Sequence, residues 1–337
     1  MTQLDMFGAP PAPTRGAIEP AVADADTARL GAALPADVRL GTSSWSFPGW
    51  AGVVYRDVAT EAALAKGGLG AYAAHPLLGA VGVDRTFYAP VGVDTLAGYA
   101  AVVPPRFRFL VKAHEVLTLA RFPAHPRYGA LRGQASPQYL DPGYARDAVV
   151  APFVDGLGPR GGVLLFQFAP QPAELLAGPG GKSAPRRFAE RLYRFLRELP
   201  AGPRYAVEVR TAELLTPDYA AALRAVDAVP ALALLPGLPP LDVQARLTRA
   251  HEAPALVIRW MLAAHHDYES ALAAYQPFDR LVDPDPRNRR AIVDLLRGAL
   301  SRGVPATVIV NNKAEGSSPR SIVELARELV DGDPVPF

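Results

Sequence analysis

The sequence predicts an α/β protein: a single closed (β/α)8 barrel of the TIM type behind a disordered N-terminal tail. Three observations carry this. Eight short apolar runs of β-branched or aromatic character alternate with eight segments of helical period. The runs are apolar on nearly every residue, as strands covered on both faces must be. No Gly-x-Gly-x-x-Gly follows the first run, so the open, doubly wound sheet lacks its signature.

The elements follow in order. Residues 1–36 are expected to be disordered. From Gly8 to about Pro35 they offer Ala, Pro, Gly and scattered charge with no apolar period, too little burial to offset ordering entropy. "VRLGTSSW" (38–45) is the first strand, and a helix near 69–78 leads to the second, "AVGVDRTF" (80–87). A helix near 93–103 precedes "RFRFLVKA" (106–113), and one near 143–156 precedes "GGVLLFQFA" (161–169). Helices near 185–199, 216–226 and 241–250 introduce "RYAVEVR" (204–210), "ALALL" (231–235) and "ALVIRWML" (255–262). The helix near 288–302 leads to "ATVIVNNK" (306–313), and a last helix near 319–331 closes a barrel domain spanning 37–332. Two long Pro-rich segments, 116–142 and 263–287, follow strands three and seven. Both fall on the face where barrels keep their chemistry, and both are expected to cover its mouth.

Composition narrows the function. With 337 residues, 50% of them hydrophobic, the chain can bury a large core. No cysteine means no disulfide and no thiolate metal site. No basic segment leads into an apolar core at the N-terminus, and no apolar run reaches bilayer length, so a cytoplasmic protein is expected. A net charge of +2 argues against a general polyanion-coating surface. The 35 basic residues include four lysines: Lys66, Lys112, Lys182 and Lys313.

In a barrel, polar residues at strand ends mark the chemistry. Strand five places Glu208 and Arg210 on the face of Ala206, opposite Val207 and Val209. Strand three delivers Lys112, strand four Gln167, strand seven Arg259, and strand eight Asn311, Asn312 and Lys313. Trp45 and Tyr88 follow strands one and two. Lys112, Arg210 and Arg259 as cations, with neutral donors beside them, describe an anion or polar-ligand site, and Glu208, the one carboxylate within a strand interior, is the general-base candidate. A plainer reading has Glu208 pairing with Arg210 or Arg259 only to fix packing. Asn311 and Asn312 equally suit a turn into the last helix, and Trp45 and Tyr88 suit rim packing. Metal chemistry is poorly supported: the histidines lie off the strand cores, and "HHD" (265–267) reads as a solvated loop, so neither metal nor cofactor is expected.

The segments "GTSSWSFPGW", "DRTFYAP", "FRFLVKA", "LLFQFAP", "YAVEVR" and "VIVNNKAEGSS" resemble, in order, those of the domain-of-unknown-function-72 (YecE-like) family. The resemblance covers roughly residues 38 to 331 and implies a TIM-type barrel without an established activity. Lys112, Gln167, Glu208, Arg210 and Arg259 match its pattern. Gly82 and Asp84 stand where members commonly have Glu and Asn, and Met261 and Lys313 where many have His, which implies a divergent branch.

Together these readings predict an enzyme acting on a phosphorylated, sugar- or nucleotide-like anionic substrate, hydrolase- or nuclease-like. Lys112 and Glu208 would be catalytic. Arg210, Arg259, Gln167, Asn311, Asn312 and Lys313 would bind substrate, and Trp45 and Tyr88 would stack on it. Glu208→Gln is expected to abolish activity and leave the fold intact. The alternative is a non-catalytic module binding nucleic acid or protein at the same rim. A separate feature is the pentapeptide Gln3-Leu4-Asp5-Met6-Phe7, spelled like the short peptide by which bacterial replication and repair proteins dock on the DNA sliding clamp. It makes the clamp an expected partner, and a task near DNA the favoured form of the enzyme reading. A chance spelling, with Leu4 and Phe7 packing on the barrel, is the plainer account.

Overall fold

A computed structural model describes residues 17–170 and 184–332. Eight parallel strands close in sequence order: β1 (Val38–Thr42), β2 (Leu78–Val83), β3 (Arg108–Lys112), β4 (Gly161–Phe168), β5 (Tyr205–Val209), β6 (Val229–Leu234), β7 (Leu256–Trp260) and β8 (Ala306–Val310). Closure is by β1 on β8, with Val38 beside Ala306 and Thr42 beside Val310. All strands run one way, so every βα loop emerges on one face, the mouth.

Alternation along each strand separates two cores. Leu110, Leu165, Ala206, Ala231, Val257 and Ile309 fill the barrel interior with Ala80. Their neighbours Phe109, Val111, Phe166, Val207, Ile258 and Val308 point outward into the layer shared with the helices. One more step toward the C-terminus along the inward parity reaches Lys112, Gln167, Glu208 and Arg259. The last interior layer beneath the mouth is therefore polar while the layer below it is apolar.

Two expectations need correction. The second strand ends at Val83, and Arg85–Tyr88 forms a short helical turn instead. Thr86 drives the turn: its hydroxyl donates to the carbonyls of Val83 (2.9 Å) and Lys112 (2.7 Å). The tail expected over 1–36 also shortens, because Ala25–Ala33 is a helix. Asp24 caps it by accepting the Thr27 N–H at 2.7 Å, and Leu30 buries its whole side chain in the main core. Arg29 pairs with Asp331 and Arg327 with Asp26 across to the last helix, Ser318–Asp331. One large apolar residue in nine is a weak periodic signal, so only the packing partner reveals this helix. The pentapeptide at 3–7 lies outside the described residues.

The loop after β3 is held by its own polar contacts. Glu115, buried, accepts from Arg127 at 2.5 Å and from the Tyr128 hydroxyl at 3.0 Å. The loop after β7 carries a helix, Tyr268–Tyr275, and is tied to the segment following β8 through Glu315. The Glu315 carbonyl accepts the N–H of Val282 (2.7 Å), and its buried carboxylate accepts the N–H of Asp285 (2.6 Å) and Arg289 (2.5 Å). Both loops stand on the mouth face.

Candidate functional site

The polar layer is organised around Glu208, which is fully buried. One carboxylate oxygen accepts from Arg210 Nε at 2.7 Å and the other from Arg259 at 2.5 Å. Gln167 joins the two guanidiniums, its carbonyl oxygen accepting from Arg210 at 2.9 Å and Arg259 at 3.1 Å. Strands four, five and seven thus meet in one network. Burial alone would push the Glu208 carboxyl up, but the charges of Arg259 and Arg210 outweigh it and bring it down to about 2. Such a group stays ionised and has both oxygens occupied. The geometry makes Glu208 the anchor of two arginines and removes it as a general base.

Lys112 stands beside this network and is buried. Its ammonium lies 3.6 Å from Asp84 and 3.9 Å above the ring of Phe87. Burial brings its pKa down to about 8; Asp84 opposes the fall, while Arg259 and Arg210 add to it. Lys112 is thus the titratable group of this layer nearest neutrality. Asp84 stands outside the set predicted to act; the signal was its place immediately before the Arg85–Tyr88 turn.

Of the three cations, Arg259 is buried whereas the Arg210 side chain keeps 26% of its surface open. Arg210 can therefore meet a ligand without losing Glu208.

The remaining predicted residues divide. Tyr88 is 59% exposed, with the Arg127 guanidinium 5.1 Å from its ring centre. Lys313 is buried, with its ammonium 4.0 Å over the ring of Tyr268, itself 65% exposed and unsuspected from sequence; burial lowers the lysine's pKa. Asn311 donates to Ser43 at 2.8 Å and accepts the Lys313 N–H at 2.9 Å, shaping the turn out of β8. Two expectations fail. Asn312 is buried, and its side-chain oxygen accepts from Ser318 N–H (2.9 Å), Ser318 Oγ (2.8 Å) and Trp50 Nε1 (3.2 Å). That fixes the start of the last helix and commits the side-chain oxygen to structure, with the Nδ2 group buried. Trp45 is buried in the outer core, edge-on to Tyr99 at 5.2 Å, so it offers no stacking face.

No curated protein matches the chain significantly. Among solved structures, a DUF72 family protein from Thermotoga maritima superposes with a TM-score of 0.56 at 20% identity, covering 87% of this chain and 98% of that one. A DUF72 family protein from Enterococcus faecalis does so with a TM-score of 0.55 at 15% identity, covering 89% and 99%. At these identities the likeness carries the barrel fold alone. The family model described as protein of unknown function DUF72 matches residues 39–335, and the chain belongs to that family.

Proposed function

We propose that the barrel mouth is a catalytic site for a small anionic substrate, phosphorylated and of sugar or nucleotide type, with Lys112 as the group that moves the proton. The observation that carries this is the pairing of Lys112, buried with a pKa near 8, with Arg210, the partly open arginine of the same layer. Arg210 binds the anion, held in place by Glu208 and Gln167. Lys112, once neutral, takes a proton from the substrate at Nζ, and the adjacent guanidiniums stabilise the negative charge left behind. The exposed rings of Tyr88 and Tyr268 suit the face of a sugar or base. Those same rings favour a second reading, a non-catalytic site for a nucleic acid or protein strand at the rim.

Binding and turnover separate the two. Inorganic phosphate, a pentose phosphate and a nucleoside monophosphate are tested by thermal shift and calorimetry, followed by turnover assays. Arg210→Ala is expected to weaken binding about tenfold or more, the loss of one charge-assisted contact. Lys112→Met is expected to keep binding and lose turnover, and wild-type turnover to rise with pH through about 8. Binding indifferent to Arg210→Ala would overturn the site. Binding of an oligonucleotide with no turnover of any small anion would favour the second reading.

A further inference from the structure

The loop after β7 begins Ala263-Ala264-His265-His266-Asp267. Asp267 turns away from the histidines to cap the helix Tyr268–Tyr275, accepting the Ser270 N–H at 2.8 Å. The acid facing them is Asp283, from the far end of the same loop. His265 Nε2 lies 3.1 Å and His266 Nε2 3.5 Å from one oxygen, Asp283 Oδ2. One ligand atom from each residue lies within 4.8 Å of the others.

The three side chains are held from behind. The Tyr275 hydroxyl donates to Asp283 Oδ2 at 2.6 Å, and the Asp283 N–H donates to the Glu315 carbonyl at 3.2 Å. His266 Nδ1 lies 3.1 Å from Ser270 Oγ, whose own hydrogen goes to the Asp267 carbonyl at 3.2 Å. Ser270 thus holds the His266 ring in place, with Nε2 facing Asp283 Oδ2.

We propose that His265, His266 and Asp283 bind one divalent transition-metal cation of the zinc class. Two imidazoles and a carboxylate are a donor set for zinc and its neighbours, whereas magnesium and calcium favour all-oxygen shells. Donors about 2.0–2.1 Å from a tetrahedral zinc ion stand roughly 3.3 Å apart, close to the spacing of both nitrogens from Asp283 Oδ2. Tyr275 and Ser270 are the outer partners that such ligands ordinarily have. Three protein ligands leave a fourth position for water, and the His265 side chain, 62% exposed, opens that position to solvent. The site fastens the two ends of the β7 loop together on the mouth face, independently of the function proposed for the mouth.

The test uses the full-length, tag-free, chelator-stripped protein, titrated with Zn²⁺ by competition calorimetry and with Co²⁺ by visible absorption. Wild type should bind one equivalent of Zn²⁺ and show the Co²⁺ bands of a four- or five-coordinate site. Tyr275→Phe should weaken binding about tenfold, and Asp283→Asn by more than about 100-fold, since outer partners alone are worth roughly 10- to 100-fold. Asp267→Asn, which alters the cap and no ligand, should bind as wild type. His265→Gln, at a mostly exposed side chain, gives the same reading should Asp283→Asn fail to fold. No Zn²⁺ binding by wild type at roughly 100 µM free metal would overturn the site, since a built site binds far more tightly. So would binding that survives His265→Gln and Tyr275→Phe unchanged, and the contacts would then be ion pairs of protonated histidines.

Discussion

Glu208→Gln should destabilise the barrel, not merely inactivate it. The carboxylate is fully buried, with one oxygen 2.7 Å from Arg210 and the other 2.5 Å from Arg259. A glutamine fits the space, but its oxygen can accept from one arginine while its NH₂ faces the other, donor against donor. Two guanidiniums then remain beneath the mouth without a counter-charge. Removing one partner of a buried pair costs about 3–5 kcal/mol. The carboxyl's fall from 4.5 to about 2 gives an independent figure: at 1.36 kcal/mol per pKa unit it corresponds to on the order of 3 kcal/mol at neutral pH. For a domain of this size that is a drop in Tm of roughly 5–10 °C. Because the folded pKa lies below the unfolded one, this stabilisation is complete above about pH 4.5 and disappears as pH falls through about 2. Urea unfolding of both proteins at pH 7 and pH 3 measures it. The gap between them should be near 3 kcal/mol at pH 7 and less than half of that at pH 3. A variant within about 0.5 kcal/mol of wild type at pH 7, with unchanged acid sensitivity, would refute the anchoring role.

Two further outcomes follow from the same reasoning. Lys112→Met should stabilise the protein at pH 7 while removing turnover. Burial drops the lysine from 10.5 to about 8, so the folded state holds its proton less well than the unfolded chain, and stability rises with pH between those values. The methionine's advantage, on the order of 3 kcal/mol at pH 7, should fade by about pH 10.5 in paired thermal melts. The third outcome concerns the proposed sliding-clamp partner: a labelled peptide of residues 1–12 should bind purified clamp with affinity on the order of micromolar. Leu4→Ala with Phe7→Ala should abolish that binding, and full-length protein that fails to bind clamp at high concentration would remove this partner.

Strand order and inward parity were legible in the sequence because both are local. A strand repeats every two residues, so the apolar neighbours of Lys112, Gln167, Glu208 and Arg259 reveal which way each points. Eight alternations then suffice to name the barrel, and closure carries the four to one layer. What those residues do there was decided by partners that sequence does not juxtapose. Glu208 reads either as a general base or as the partner of Arg210 or Arg259, and only the fold shows both arginines, Arg259 from 51 residues away, taking its two oxygens. Asn312 reads as a strand-end ligand until the chain turns and Ser318 and Trp50 donate to its side-chain oxygen, tying it to the last helix. His265 and His266 read with the adjacent Asp267, yet a helix cap claims that acid and the loop's return supplies Asp283 instead. Periodicity is set within a few residues, and the sequence by itself therefore determined the barrel and its inward faces. Charge state, occupancy of lone pairs and metal-ligand grouping depend on which distant atoms come within about 3–4 Å, and only the tertiary fold decides that.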